Sequence, residues 1–245
     1  MEPLIRVRGL RHRYDDGTQA LDGVDFDLYP SEAVVLFGPN GSGKTTFLLH
    51  LVGLLEGEGT GRNACATEVC GLPVVKKNFA AVRQRVGILF QDSDDQLFMP
   101  TVFEDVAFGP LNLGLERAEV ERRVERALAQ VEMQGAAGRA PYHLSAGEKR
   151  RVALAGLLAM DPEILALDEP VTFLDPPGRA SLIEILHRLP QTKIIVTHDL
   201  ELARELGTRA VFLSQGRIVA SGSVEQIIER FGWDARAGSR PLRVG

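Results

Sequence analysis

The residues with the clearest chemistry in this sequence form a glycine-rich stretch from Gly38 to Thr45. Its spacing, Gly-x-x-x-x-Gly-Lys-Thr, is that of a loop whose backbone N–H groups surround a polyphosphate. In such a loop the lysine reaches the β- and γ-phosphates, and the threonine hydroxyl completes the shell of a Mg²⁺ ion. The candidate nucleotide-binding residues of this stretch are Gly38, Pro39, Asn40, Gly41, Ser42, Gly43, Lys44, Thr45 and Thr46.

The sequence on either side of this loop supplies the context that phosphate binding requires. Residues 33–37 form an apolar run of the length of a buried strand, and residues 45–49 begin an apolar-periodic helix that we expect to end near Leu55. The N-terminus of such a helix directs N–H groups and a positive dipole end at an anion. A chance glycine-rich turn would lack this context, so we predict that the chain binds a nucleoside triphosphate.

Two adjacent acids, Asp168 and Glu169, follow a second short apolar run, Ile164–Leu167. A buried parallel strand carries the residues after it to the edge of the sheet where open α/β proteins bind ligands. There Asp168 is suited to hold Mg²⁺, and Glu169 is suited to orient and polarise an attacking water. The alternative is that the two acids only begin a polar loop. The phosphate-binding loop elsewhere in the chain favours the catalytic interpretation.

The segment Leu144–Glu148 allows two interpretations. Ser145 and Glu148 have the Ser-x-x-Glu spacing of a capping box before an apolar helix. Ser145 and Gly147 at a helix N-terminus also make a site for an anion. The two interpretations are compatible, because one helix start can be capped when free and can contact a phosphate when engaged.

The order of strand and helix patterns predicts an α/β fold with a P-loop core and a mostly parallel sheet. An antiparallel β subdomain is expected at the N-terminus, where Leu4–Val7 and Val24–Leu28 resemble strands. Residues of about 100–160 are largely helical and lie between core strands, which predicts an inserted helical subdomain. We expect one domain over residues 1–233 and a short tail over 234–245.

Composition excludes several classes of protein. Of the 245 residues, 44% are hydrophobic and 25% are charged, as in ordinary globular proteins. A net charge of −5 argues against a general nucleic-acid binder, so we expect no nucleic-acid partner. No apolar run approaches the ~18 residues of a membrane span, and no signal peptide is evident. We therefore expect a cytosolic protein that reaches a membrane only through partner subunits.

The 2 cysteines, Cys65 and Cys70, are interpreted as reduced thiols. Their spacing is not Cys-x-x-Cys, and no further Cys or His lies nearby to complete a metal site.

Taken together, the motifs resemble those of the nucleotide-binding subunit of an ATP-binding-cassette (ABC) transporter over nearly the whole chain. The loop, Gln91, the signature Leu144–Glu148, the acids after Leu167, Asp175 and His198 occur in the order found in that family. The resemblance implies ATP and Mg²⁺ as ligands, with catalytic roles for Lys44, Glu169 and His198. It implies that Thr45, Gln91 and Asp168 hold the metal, and that Tyr14, Gln91, Ser145 and Gly147 contact the nucleotide.

The same resemblance implies that two copies of the ATPase, or this chain and a paralogue, close head to tail. The loop of one copy then faces the Ser145–Gly147 helix start of the other, with ATP between them, and Asp175 contacts the other subunit. There are two departures from the family pattern. One is Val171-Thr172-Phe173 before Leu174-Asp175, where a Ser-Ala pair is commonest, and the other concerns the signature. The usual Leu-Ser-Gly-Gly-Gln has Ala146 and Glu148 at its third and fifth positions here, while Ser145 and Gly147 remain. We expect activity to survive.

The stretch from Gln91 to Pro110 is similar to the ATPases of energy-coupling-factor (ECF) importers, above all those for cobalt and nickel. In that family the segment after the glutamine is where membrane subunits dock. Exposed Leu97, Phe98 and Met99 in an acidic loop are consistent with this, because they could receive a basic, apolar helix end. The alternative is a solvated acidic loop followed by an ordinary helix.

The resulting prediction is an ATPase subunit that couples ATP hydrolysis to uptake of cobalt, nickel or a vitamin. Its expected partners are integral membrane coupling (T) and substrate-binding (S) subunits, which would hold it at the cytoplasmic face of the membrane. Another ABC importer or exporter is one alternative. A soluble ABC ATPase of DNA repair or translation is another, disfavoured by the lack of a basic surplus, a coiled-coil insertion or a second cassette.

Overall fold

The computed structural model describes residues 1–56, 66–92 and 96–232. Cys65, residues 93–95 of the predicted acidic loop and the predicted tail therefore lie outside the described residues. The backbone divides into a first unit, Met1–Arg83 with the chain from Thr192 onward, and a second unit, Gln84–Gln191. The prediction that residues 1–233 form a single domain stays a prediction.

An antiparallel sheet begins the first unit. Its strands are β1 (Ile5–Arg13), β2 (Gln19–Leu28), β4 (Thr67–Val69) and β5 (Leu72–Pro73), in the order β2-β1-β4-β5. Side chains of β1 alternate between buried and solvent-facing positions, because one face of the sheet covers the core. The predicted N-terminal antiparallel sheet is thus present.

The strand before the glycine-rich loop is the central strand of the parallel part of the first unit. This strand, β3 (Ala33–Phe37), is buried throughout and pairs in parallel with β8 (Thr192–Val196) and β9 (Arg209–Ser214). Burial on both sides explains its continuous apolar sequence. The remaining elements here are α1 (Lys44–Leu51), α2 (Phe79–Arg85), α7 (Leu200–Leu206), β10 (Arg217–Gly222) and α8 (Val224–Phe231).

Helix α1 is one turn shorter than expected. It ends at Leu51, with Val52 as its C-cap, whereas the apolar periodicity predicted an end near Leu55. Gly53 has a φ of 63°, and a Cβ atom there would lie 2.6 Å from the Phe79 ring. The chain therefore turns at this glycine, and the apolar residues after it no longer belong to the helix.

In its described residues the second unit contains a parallel strand pair and four α-helices. Strand β6 (Val86–Leu89) pairs with β7 (Ile164–Asp168), so that Leu89 lies opposite Leu167. Between these strands in sequence lie α3 (Val102–Asn112), α4 (Arg117–Gln130) and α5 (Ala146–Ala159), and α6 (Pro176–Arg188) follows β7. Helices α3, α4 and α5 pack on one another. These parallel strands, helices and antiparallel sheet confirm the predicted fold class.

None of the helices in the described part of the chain has the length and apolar character needed to cross a membrane.

Candidate functional site

The loop between β3 and α1 has the geometry of an anion cradle. Gly43 is the N-cap of α1 and, having no side chain, makes no capping hydrogen bond to the N–H groups of the first helical turn. A Cβ atom would lie 2.1 Å from the Leu213 carbonyl oxygen at Gly38 and 2.3 Å from the Ala20 carbonyl oxygen at Gly43. At Gly41 a Cβ atom would meet nothing within 4 Å. The loop is thus held against the protein on one side and open on the other.

Polar groups of this loop are arranged for a ligand. The Lys44 ammonium donates hydrogen bonds to the carbonyl oxygens of Gly38 (2.8 Å) and Pro39 (2.9 Å), which holds it across the loop. The Ser42 hydroxyl oxygen is buried and has no hydrogen-bond partner among the described residues. A buried polar atom without a partner is costly, and a phosphate oxygen would satisfy this one. These residues fit a bound polyphosphate.

Tyr14 lies against the beginning of α1. It follows β1 at a hairpin turn, where its N–H donates to the Thr18 carbonyl oxygen at 3.0 Å. Its hydroxyl lies 3.0 Å from the Thr46 Oγ1 atom in the first turn of α1. The ring remains 39% exposed, so a nucleotide base can reach it.

Two histidines behind Tyr14 were not recognised from the sequence. The His12 ring contacts Tyr14 edge to face, with centroids 4.6 Å apart, and contacts His50 at 4.8 Å. His50 lies in the last turn of α1, where burial, reinforced by the nearby His12, lowers its pKa to about 4. His50 is therefore neutral at physiological pH. No motif spacing links these two residues, because their contact depends on how the hairpin packs on α1.

His198 lies at the same edge of the parallel sheet as the glycine-rich loop. Strands β3 and β8 are parallel neighbours with Leu36 opposite Val196, so Gly38 and His198 each lie two residues beyond a paired position. His198 is exposed, and the next residue, Asp199, caps α7 by accepting a hydrogen bond from the Leu202 N–H at 2.9 Å. The structure thus brings together the loop, Tyr14 and His198 within the first unit.

The predicted acids and Gln91 lie together at one edge of the second unit. Asp168 is the last residue of β7 and is buried. Because Leu89 lies opposite Leu167, Gln91 and Glu169 each lie two residues beyond this pair. Carboxylate and amide oxygens are donor types that suit Mg²⁺.

Glu169 has an uncommon backbone conformation. Its φ is +47°, which costs a non-glycine residue on the order of 1 kcal/mol, and such strain concentrates at functional sites. The Thr172 hydroxyl donates to the Glu169 carboxylate at 3.2 Å.

Arg150 is a further residue that the sequence patterns did not single out. It projects from α5, is 3% exposed, and donates to the carbonyl oxygens of Phe90 (2.5 Å) and Gln91. Burial lowers the pKa of its guanidinium, while the nearby charges of Asp92 and Asp168 raise it. A charged residue inside an otherwise apolar helix face was the available signal, but only the fold identifies its partners.

Ser145 forms the predicted capping box at the start of α5. Its hydroxyl accepts from the Glu148 N–H at 3.3 Å, and the Glu148 carboxylate accepts from the Ser145 N–H at 2.8 Å. The hydrogen bond from the Ser145 backbone and the Arg139 guanidinium lower the pKa of Glu148. These bonds show why a glutamate is accommodated where the signature usually has glutamine. Ser145 is nevertheless exposed and Gly147 half-buried, so a phosphate can approach this helix start.

Asp175, predicted to contact another subunit, is the N-cap of α6 and accepts a hydrogen bond from the Gly178 N–H at 3.0 Å. It is exposed, so this cap leaves it accessible to a partner.

Two polar side chains, Gln96 and Asp105, hydrogen-bond to the main chain in and beside the segment expected to dock membrane subunits. The Gln96 side chain accepts from the Phe90 N–H (3.0 Å) and donates to the Ile88 carbonyl (3.2 Å). The Asp105 carboxylate accepts from the N–H groups of Phe98 and Met99, each at 3.0 Å. Burial of Asp105 raises its pKa.

Not all of the expected apolar residues of this segment are exposed. Phe98 is 62% exposed, whereas Leu97 and Met99 are half-buried, so the prediction that all three are exposed was wrong for two of them. The Asp105 carboxylate of α3 holds the backbone at Phe98 and Met99. The Phe98 ring contacts the Phe108 ring edge to face, with centroids 5.0 Å apart. Leu111, one turn further along α3, is exposed.

The part of the chain that the structure describes holds no group of three or more His, Cys, Asp or Glu side chains able to bind a metal ion by themselves. Cys70 is half-buried.

Comparisons with known proteins agree on one family. Residues 21–172 match the model described as ABC transporter. An ABC transporter ATP-binding protein of Streptomyces avermitilis is 54% identical over 92% of this chain and 84% of its own length. The energy-coupling factor transporter ATP-binding protein EcfA of Carboxydothermus hydrogenoformans is 44% identical over 100% of this chain and 90% of its own. A similar solved structure is that of cbiO1 from Clostridium perfringens, described as part of the ABC transporter complex cbiONQ. It is 32% identical, with a TM-score of 0.82, and the match covers 94% of this chain and 92% of that chain.

Proposed function

Because this chain belongs to the ABC transporter family, and is therefore an ATP-binding and ATP-hydrolysing subunit, we propose that it powers an importer of the ECF type. The transporter type, the partners, the cargo and the roles of individual residues are parts of this proposal.

The roles of the site residues follow from their chemistry. Lys44 and the loop N–H groups bind the phosphates, and the Tyr14 ring packs against the base. Thr45, Gln91 and Asp168 hold Mg²⁺, which neutralises phosphate charge when it is bound. Glu169 orients and polarises the attacking water. His198 donates a hydrogen bond to the γ-phosphate.

A second copy of the chain, or a paralogue, completes the site. The exposed start of α5, with Ser145 and Gly147, contacts the phosphates that the partner's loop holds. Asp175 lies on the surface that meets the partner. Hydrolysis then requires closure of the two subunits, and closure transmits motion to the membrane.

The structural support for proposing an ECF importer is an exposed apolar patch, here called the docking patch. It is formed by Phe98, Phe108 and Leu111. Its side chains are 62%, 41% and 57% exposed, and its backbone is fixed through Asp105 and Gln96. Exposed apolar side chains on a rigid base suit a helix end of a membrane subunit. The relatives named EcfA and cbiO1 support the same assignment.

The partners are a coupling (T) subunit and a substrate-binding (S) subunit, with this chain at the cytoplasmic face of the membrane. The cargo is cobalt, nickel or a vitamin such as biotin. The membrane subunit selects it, so no residue of this chain contacts it.

The test is to isolate the chain from its own membranes and identify its partners, while measuring ATP hydrolysis. We expect two integral membrane proteins to co-purify, and uptake of the cargo in vesicles to require ATP and this chain. Recovery of a complex with nucleic acid and without membrane proteins would contradict the proposal.

A further inference from the structure

The geometry points to Arg150 as a positioning residue that ties the signature helix α5 to the main chain of Gln91. One guanidinium donates to the carbonyl oxygens of two consecutive residues, Phe90 at 2.5 Å and Gln91. The side chain is 3% exposed, so water cannot replace these bonds. This inference rests on the proposed function.

The two ends of this connection belong to different parts of the catalytic machinery. Ser145, the N-cap of α5, lies five residues before Arg150, which is about 7 Å along a helix axis. Gln91 follows β6, and the residue before it, Phe90, is also held by the Gln96 side chain, which accepts from the Phe90 N–H. Arg150 thus joins the helix that meets a phosphate to the segment that carries a metal-binding amide.

The rigidity of the guanidinium makes this connection effective. Its planar fork fixes the direction of both hydrogen bonds, unlike a flexible lysine ammonium. A displacement of α5 must therefore either carry Gln91 with it or break two buried hydrogen bonds. Through these two bonds Arg150 couples the contact between the Ser145 helix start and a phosphate to the placement of Gln91. Loss of the arginine therefore lowers ATP turnover more than it weakens nucleotide binding.

The experiment compares Arg150→Met and Arg150→Lys with a matched control, Arg83→Met. Arg83 also donates to two consecutive carbonyl oxygens, those of Val52 (3.0 Å) and Gly53 (2.9 Å), but it holds no catalytic segment. Steady-state ATP hydrolysis gives kcat and KM, and thermal unfolding gives Tm for each protein. The full chain is used throughout, in its complex where turnover requires it.

We expect Arg150→Met to lower kcat at least about 10-fold with less than about a threefold change in KM for ATP. Arg150→Lys, which retains the charge without the fork, should recover part of the lost kcat. Arg83→Met should keep kcat within about twofold of the parent protein. If Arg150→Met does not fold, Arg150→Lys carries the test, with kcat reduced at least about threefold and Tm no lower than that of Arg83→Met.

Parent-like kcat in a folded Arg150 variant would overturn the inference. So would equal losses of kcat in Arg150→Met and Arg83→Met, because the effect would then follow from stability. Failure of the proposed importer function is distinguishable, because it would appear as the absence of membrane partners while the parent protein still hydrolyses ATP.

Discussion

At the scale of single residues, the same side chain often serves both the fold and the proposed chemistry. Ser145 caps α5 and is the candidate phosphate contact, and Lys44 holds the loop carbonyls while it is placed to meet a phosphate. Substitutions at such positions mix structural and functional effects. Matched controls are therefore needed to separate the two.

The carboxylate of Glu169 provides the first prediction. Replacing it with glutamine keeps its shape and hydrogen-bonding reach but removes the charge that polarises water. We expect Glu169→Gln to bind ATP normally and to lower ATP turnover by roughly 10² or more, as measured by phosphate release. The control Glu163→Gln alters an exposed ion pair with Arg85 and should leave turnover unchanged. Near-parent turnover in Glu169→Gln would show that the catalytic assignment is wrong.

The capping boxes of α5 and α8 provide the second prediction. Ser145 and Ser223 make the same pair of capping interactions, with Glu148 and Gln226 respectively. We expect Ser145→Ala and Ser223→Ala each to lower the free energy of unfolding by about 1 kcal/mol. Only Ser145→Ala should also abolish most ATP hydrolysis, at unchanged ATP affinity of the single subunit. Full activity in a destabilised Ser145→Ala protein would leave the serine with a capping role alone.

At the scale of secondary-structure elements, α1 connects the phosphate loop to the antiparallel sheet. Its first turn receives the Tyr14 hydroxyl, and its last turn contributes His50, whose ring meets that of His12. The helix therefore holds the hairpin that carries the Tyr14 ring, which we propose contacts the base. The buried, neutral His50 makes the stability of this arrangement sensitive to acid.

The pH dependence of unfolding follows from the lowered pKa of His50. The folded pKa is about 4 and the unfolded value is 6.5, so the unfolded state binds more protons between these values. Stability contributed by neutral His50 is complete above pH 6.5 and is lost as pH falls toward 4. Each unit of pKa difference corresponds to about 1.4 kcal/mol.

Urea unfolding of the parent and of His50→Leu at pH 7.5 and pH 5 checks this expectation. We expect His50→Leu to lose measurably less stability between the two conditions than the parent does, by about 1 kcal/mol or more. An identical loss in both proteins would show that His50 is not the titrating group.

At the scale of the whole molecule, the chemistry is divided between the two units. The phosphate loop, Tyr14 and His198 belong to the first unit, and Gln91, Asp168, Glu169 and the signature helix belong to the second. The docking patch belongs to the second unit as well. In the proposed importer, a membrane partner at this patch would contact the unit that carries the proposed metal-binding and water-activating side chains.

The docking patch provides the prediction for the assembly. Phe98→Asp combined with Leu111→Asp would place charges in an apolar contact that contributes a few kcal/mol, on the order of 1.5–3 for each buried side chain. We expect loss of co-purification with membrane subunits and loss of uptake, while the isolated chain still binds ATP. The control Val219→Asp alters a side chain of similar exposure on β10 and should leave assembly intact. Normal co-purification of the double variant would remove the main structural reason for choosing an ECF importer.

The sequence by itself determined the elements that carry the proposed site. Gly38–Thr45 predicted a strand, loop and helix start, and the run Ile164–Leu167 predicted a strand that ends at Asp168 and Glu169. Ser145 and Glu148 predicted the capping box. These predictions succeeded because each depends on local spacing: a short apolar run, a glycine where the backbone passes close to another carbonyl, and a side chain three residues from a helix start.

Only the tertiary structure decided which distant residues meet. The hydrogen bonds from Arg150 to Phe90 and Gln91 span about sixty positions, and the His12–His50 contact depends on a hairpin packing on a helix. The same holds for Leu97 and Met99, which are half-buried although their sequence suggested exposed positions. Burial and long-range hydrogen bonds are properties of packing, which local periodicity does not encode.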